Sequence, residues 1–219
     1  MMLKINDTAP DFTADTTAGQ INFYNYIDGH WAMFVSHPKD FTPVCTTELG
    51  SMAKLKPEFD KRGVKMISIS VDSVTDHQRW KTDIEKIGGA ELHYPMIGDP
   101  ELKIAKLYGM LPADAGDKAE GRTPQDNATV RNVFIIGPDK KIKMVMVYPM
   151  SSGRNFFEIL RTIDSLQLTA SQSLATPANW QVGDDAIIMG SVSDDDAKVK
   201  FPAGWQTPTP YIRLVKTDK

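Results

Sequence analysis

The chain has 219 residues, of which 41% are hydrophobic and 24% charged, with a net charge of −3 and one cysteine. That length suffices for a sizeable core plus an appendage. No basic tract is present to hold a nucleic acid or an anionic membrane surface, and no apolar run approaches the ~20 residues a membrane-spanning helix needs. One cysteine cannot build an intramolecular disulfide framework, a CxxC pair or a cysteine-rich metal site. MMLKINDTAP lacks an apolar leader core, so a cytoplasmic protein with a free thiol is expected.

In chain order, Leu3 to Tyr26 contains the short apolar pieces PDFTAD and INFYNYI around Thr-Ala-Gly, which predict strands joined by a tight turn. WAMFVSHP, from Trp31 to Pro38, predicts a buried strand, and a helix from Pro43 to about Lys61 follows, with Leu49, Met52, Leu55 and Phe59 on its apolar face. VKMISISVDS reads as a strand buried on both faces. Asp76 to Ile87 reads as a helix with Trp80, Ile84 and Ile87 inward, Tyr94 to Asp99 as a short strand, and Pro100 as the opening of a helix through ELKIAKLYGML. After a polar loop up to Gln125, TVRNVFIIGPDKKIKMVMVYP predicts a hairpin turning at Gly137 to Lys140. Arg154 to Leu168 is an amphipathic helix with Phe157, Leu160, Ile163 and Leu166 on one side. Alternating strands and helices imply a mainly parallel α/β sheet. Beyond Leu168 short strands broken by Pro, Gly and Asp form a tail too small to bury a core of its own, so the expected domains are 1–168 and 169–219.

The chemistry concentrates in SHPKDFTPVCTTELG, Ser36 to Gly50. Thr42 is a good N-cap and Pro43 suits the first helical position, which places Cys45 third in the helix. A sulfur there faces unpaired backbone N–H groups and the positive end of the helix dipole, and both favour thiolate over thiol. A helix end supplies about 0.3–1 kcal/mol, rarely about 2. That falls short of what holding a cysteine ionised at neutral pH requires, so the stretch predicts a cationic partner from elsewhere in the chain.

TPVCTTELG after SHPKDF resembles the peroxidatic loop of peroxiredoxins, in particular their one-cysteine, peroxiredoxin-6-like branch of AhpC/TSA type. APDF near the start and ATPANW, GDD and YIRLV in the tail extend the resemblance over essentially the whole chain. It implies a thioredoxin-like α/β fold, a central mixed sheet flanked by helices, with a small C-terminal extension. The implied activity is thiol-dependent reduction of hydrogen peroxide and organic hydroperoxides, Cys45 cycling through sulfenic acid. Arg131, before VFIIGPD, matches the catalytic arginine and Arg154, in SSGRNF, a second one. The resemblance assigns Arg131 to both thiolate and peroxide, the Thr42 hydroxyl and the N–H groups of Val44 and Cys45 to the peroxide oxygens, and Pro43 to shielding the sulfur. Glu48 would orient the arginines, and His37 would play a positioning part. Lacking a second cysteine, the chain would need an external thiol such as glutathione, a glutaredoxin or a thioredoxin. A homodimer built by pairing sheet edges, with the tail crossing to the partner, is implied, or a larger ring.

No metal or other cofactor is expected, because the sequence holds no HxH or HxxxH pair, and His30, His77 and His93 read as surface or core histidines. Animal relatives also hydrolyse phospholipids through a serine, a histidine and an aspartate. Here the turn DGHWAM carries no serine, Tyr24 stands at the histidine position and only Asp139 remains, so no lipase is expected. A cysteine hydrolase would need a base histidine on Cys45, and a holdase role would persist without the cysteine.

Overall fold

The computed structural model describes residues 3–116 and 118–217, which divide into a compact unit ending at Phe156 and a second beginning at Phe157. In the first, β1 (Thr13–Thr16) and β2 (Gly19–Asn22) form a hairpin, and the short helix α1 (Phe23–Tyr26) follows directly. INFYNYI is therefore only half strand. The Asn22 side chain accepts the Asn25 N–H, and that local cap turns the chain into a helix where alternation predicted continued extension.

β3 (Trp31–Ser36) runs parallel to β4 (Val64–Ser70), which runs parallel to β5 (Met96–Gly98). On its other side β3 is antiparallel to β6 (Arg131–Ile136), which forms a hairpin with β7 (Ile142–Tyr148). The sheet order is β2-β1-β5-β4-β3-β6-β7, a mixed sheet with β3 and β4 near its centre and buried throughout most of their length. Its aromatic core packs Phe23 and Phe34 against Tyr108 and Phe134 in tilted and edge-to-face pairs, rings 4.9 to 6.5 Å apart.

Two long helices follow the parallel strands, α2 (Pro43–Lys61) and α3 (Val74–Gly88). α3 begins at Ser73, whose hydroxyl accepts the Asp76 N–H, and ends at Gly89 with φ +66°. Trp80 and Ile84 point inward as predicted, whereas Ile87 is 59% exposed because the heptad-like spacing carries it past the buried face. The helix predicted from Pro100 starts later, as α4 (Lys103–Leu107). The Asp99 carboxylate takes the Lys103 and Ala105 N–H groups, and Leu102 adopts φ +59° ahead of it.

The second unit contains nearly all of α5 (Phe156–Ser171), strands β8 (Leu174–Ala175) and β9 (Ala186–Ile188), helix α6 (Asp194–Lys200), and strands β10 (Gln206–Thr209) and β11 (Ile212–Val215). Along α5 the buried apolar positions are Phe156, Ile159, Leu160 and Ile163, while Phe157 is 70% exposed. DDDAKVK, expected as part of a strand-only tail, is helical because Ser193 caps it and three aspartates sit at its positive end. The tail also has an apolar cluster of its own, Leu174, Ala186, Ile188, Val192, Ala197 and Val215, against which Leu168 packs. The expected boundary at 168/169 falls inside α5, and the compact units divide at 156/157 instead, since the end of the helix belongs to that cluster.

α2 and α3 cross closely at two glycines: a Cβ on Gly50 would lie 2.8 Å from the Gly88 nitrogen, and one on Gly88 2.5 Å from the Gly50 oxygen. Overpacking of this kind costs about 1–3 kcal/mol. Gly50→Ala and Gly88→Ala should each lower the Tm, by about 2–4 °C per kcal/mol lost, in a calorimetric scan; an unchanged Tm would mean the helices part without cost.

Candidate active site

The site lies at the carboxyl end of β3, where the chain leaves the sheet centre and winds into α2, the usual place for a site in an open α/β sheet. Thr42 is extended at φ −116°, ψ 146° and Pro43 opens the helix, as predicted. The Thr42 hydroxyl, however, does not cap the helix. It donates to the Lys39 carbonyl at 2.8 Å, so its lone pairs and the first-turn N–H groups, Val44 and Cys45 among them, stay available to a ligand. Phe41, just before it, has φ +56°, a left-handed conformation that a non-glycine residue adopts only under restraint. Pro43 is exposed and Cys45 fully buried.

The cation demanded by the sequence is Arg131. Its Nη1 donates to Cys45 Sγ at 3.3 Å and to Glu48 Oε2 at 2.7 Å, and its Nε and Nη2 both donate to the Met150 carbonyl, at 3.0 and 2.5 Å. Arg131 opens β6, whose register with β3 brings it beside the start of α2. Glu48 is one helical turn beyond Cys45, so one face of α2 presents sulfur and carboxylate to the same guanidinium. Arg154 closes the set from the far side: its Nε, Nη2 and backbone N–H donate to Glu48 at 2.9, 2.7 and 2.7 Å, and its Nη1 to the carbonyls of Ser36 and Asn132. Burial pushes the Glu48 carboxyl up, but the hydrogen bonds and charge of Arg154, with the charge of Arg131, outweigh it and hold Glu48 below its ordinary range.

His37 is buried just after β3, and its ring turns to Asp40 rather than to the sulfur: Nε2 lies 2.9 Å from Asp40 Oδ1. The other Asp40 oxygen lies 2.6 Å from Nδ1 of His77, whose Nε2 donates to the Ile97 carbonyl at 2.9 Å. His77 is thus a buried histidine, as expected, but it joins His37 through a carboxylate that the sequence reading passed over. Spacing rules for metal pairs do not detect such a group, because the three residues come together only through the fold. Their N···O separations are those of hydrogen bonds.

Met150, Ser36 and Asn132 were also missed: they act through backbone carbonyls, which leave no residue-type signal. Of the lipase positions, the Tyr24 hydroxyl donates to the Ala9 carbonyl and Asp139 is a turn residue that accepts from the Lys141 N–H and the Lys143 amine. Both are held by structural contacts.

A central mixed sheet with a buried cysteine at a helix start, an arginine on its sulfur, defines a thiol-based redox enzyme of thioredoxin-like fold. The comparisons agree. Residues 5–145 match the model of the AhpC/TSA family and residues 165–204 that of the C-terminal domain of 1-Cys peroxiredoxin. The chain is 50% identical over 213 residues to a 1-Cys peroxiredoxin of Dictyostelium discoideum, covering 97% of this chain and 84% of that protein. Among solved structures it is similar to peroxiredoxin 6 of Arenicola marina, in a cysteine-to-serine mutant, with TM-score 0.89 and 42% identity over 99% of both chains. It is similar too to a yeast mitochondrial 1-Cys peroxiredoxin, with TM-score 0.89 and 48% identity over 99% of this chain and 100% of that one. The chain belongs to the AhpC/TSA family, in its one-cysteine peroxiredoxin branch, and its activity is that of a thiol-dependent peroxidase.

Glu48 is the only carboxylate holding both guanidinium groups in the contacts above, and removing one partner of a buried ion pair costs about 3–5 kcal/mol. Glu48→Gln should therefore unfold at lower denaturant concentration at neutral pH. A carboxyl whose folded pKa is depressed contributes stability above about pH 4.5, its ordinary value, and loses it as pH falls through the folded pKa. The gap between parent and variant should close in acid; a gap that is constant with pH would contradict the assignment.

Proposed function

We propose that Cys45, Arg131 and Thr42 carry the peroxidase reaction on hydrogen peroxide and organic hydroperoxides, and the observation that carries this reading is the 3.3 Å contact between Arg131 Nη1 and Cys45 Sγ. Two guanidinium groups surround one carboxylate, so the buried cluster holds one positive charge in excess. A thiolate at Cys45 balances it. The sulfur attacks one peroxide oxygen in line with the O–O bond, that bond breaks with its electron pair going to the other oxygen, and this leaves as water or alcohol after taking up a proton. Cys45 is oxidised by two electrons to the sulfenic acid.

Arg131 and the Val44 and Cys45 N–H groups stabilise the charge that develops on the oxygens. The Thr42 hydroxyl proton is committed to Lys39, so Thr42 accepts the hydrogen of the bound peroxide and aligns it. Pro43 shields the sulfur, Glu48 with Arg154 fixes the guanidinium, and His37 braces the loop.

Resetting requires a thiol from outside. A first thiol displaces water from the sulfenic acid to give a mixed disulfide, and a second releases Cys45 as thiol. Because Cys45 is fully buried, the start of α2 must open for that exchange. The yeast relative is described as resolved through glutathione and thioredoxin systems, and glutathione, a glutaredoxin or a thioredoxin supplies the thiol here. No helix among the described residues is long and apolar enough to cross a membrane. A free thiol suits a reducing compartment, and we assign the protein to the cytoplasm.

Cys45→Ser should abolish peroxide consumption in stopped flow, and Arg131→Met should slow it by about 10²–10³-fold, with dimedone trapping the sulfenic acid in the parent, more slowly in Arg131→Met and not at all in Cys45→Ser. Parent-like rates in either variant would overturn the assignment. β7 is an edge strand of the sheet and leaves Val147 45% exposed, which favours a homodimer formed by edge pairing. Light scattering should report a dimer at micromolar concentration, and a monomer would exclude it.

A further inference from the structure

Helix α3 presents His77 and Trp80, three residues apart, to the segment that leads from β3 into the first turn of α2, where Cys45 lies. His77 reaches Asp40, five residues before the cysteine, and the Trp80 indole donates to the Thr46 hydroxyl, one residue after it, at 3.2 Å. Thr46 passes the contact on by donating to the Thr42 carbonyl at 2.7 Å. Between the two grips lies Phe41 in its left-handed conformation, a backbone state that persists only where its surroundings hold it.

The proton inventory of the first grip follows from its partners. His77 Nε2 faces a carbonyl, which only accepts, so it carries hydrogen. Nδ1 faces an Asp40 oxygen at 2.6 Å, and the other Asp40 oxygen faces His37 Nε2 at 2.9 Å. With Asp40 ionised, both facing nitrogens donate: His77 holds two protons, and His37 holds one on Nε2, which leaves its buried Nδ1 without a partner among the described residues. Burial pushes the Asp40 carboxyl up, but its bonds to His37 and His77 prevail and lower it. Burial likewise pulls His77 down, and its bonds to Asp40 and Ile97 prevail and raise it, while burial keeps His37 lowered and neutral.

We propose that His77 and Asp40 form a positioning pair for the peroxide reaction: an imidazolium on α3 holds the Asp40 carboxylate, and with the Trp80 grip this keeps Thr42 and Cys45 in register with Arg131. The proposal rests on the peroxidase reading and adds to it two residues that touch neither sulfur nor peroxide. Among the described residues, the titratable groups facing the His77 ring are Asp40, Asp72 and His37. Asp72 also takes the Asp40 N–H at 3.1 Å and the Ser70 hydroxyl at 2.7 Å, and on α3 itself Asp76 is engaged with Ser73 and Arg79. The pair stands between the lowered pKa of Asp40 and the raised pKa of His77. Its contribution is lost as pH rises through the latter.

The test is the rate of Cys45 oxidation by hydrogen peroxide against pH, in stopped flow, for the parent, Asp40→Asn, His77→Gln and the double variant. Misplacement by about an ångström costs up to roughly a hundredfold, so each single variant should be roughly ten- to a hundredfold slower at neutral pH. Each should also lack the fall in rate that the parent shows on the alkaline side, and the double variant should be no slower than the slower single. Single variants at the parent rate, an unaltered pH profile, or losses that multiply in the double variant would overturn the pair. If a variant does not fold, nitrogen NMR of the parent decides: two protonated His77 nitrogens at pH 7 support the pair and a neutral ring overturns it. A parent that forms no dimedone-reactive sulfenic acid would instead refute the peroxidase reading on which the pair depends.

Discussion

The Arg131 guanidinium is the point on which the site turns. It bonds three acceptors of different kinds at once, the Cys45 sulfur, the Glu48 carboxylate and the Met150 carbonyl, and so its orientation is fixed before any substrate enters. Preorganised donors of this sort stabilise developing charge without having to rearrange during the reaction. Burying the group is costly, since two guanidiniums leave water for the sake of a single carboxylate. The cluster trades stability for an uncompensated positive charge next to a thiol.

The fold supplies that arrangement from four separate segments. The register of β3 against β6 brings Arg131 level with the end of β3, and the Ser36 hydroxyl ties the two strands by bonding the Val130 carbonyl and the Asn132 N–H. The first turns of α2 present Cys45 and Glu48 on one face, and the segment after β7 returns the Met150 carbonyl and Arg154. The glycine crossing of Gly50 and Gly88 sets how near α3 approaches α2, and hence whether His77 and Trp80 can reach the reactive loop. Packing in one place and chemistry in another are coupled through the rigid helix between them.

Much of the fold was legible because the signals were local. Alternation and apolar runs located β3, β4 and the β6–β7 hairpin, and Thr42-Pro43 marked the start of α2 to the residue. The misreadings were local contests decided by a single side chain: Asn22 turning a strand into α1, Asp99 delaying α4, and Ser193 with three aspartates making α6 from a segment read as strand. Phe157 and Ile87 show the limit of counting positions, for each satisfies the helical spacing yet lies off the buried arc.

By itself the sequence determined that one thiol sits at a helix N-terminus and that it needs a cation, because helix capping and the dipole act within a few residues. Its motif likeness picked out Arg131 and Arg154, and periodicity was silent about both. Only the tertiary structure decided the distances, the Met150 carbonyl that aims Arg131, the reversal of the Thr42 hydroxyl toward Lys39, and the joining of His37, Asp40 and His77. Those contacts link residues up to 37 positions apart or run through backbone atoms, and neither leaves a trace in residue identity until the chain is folded.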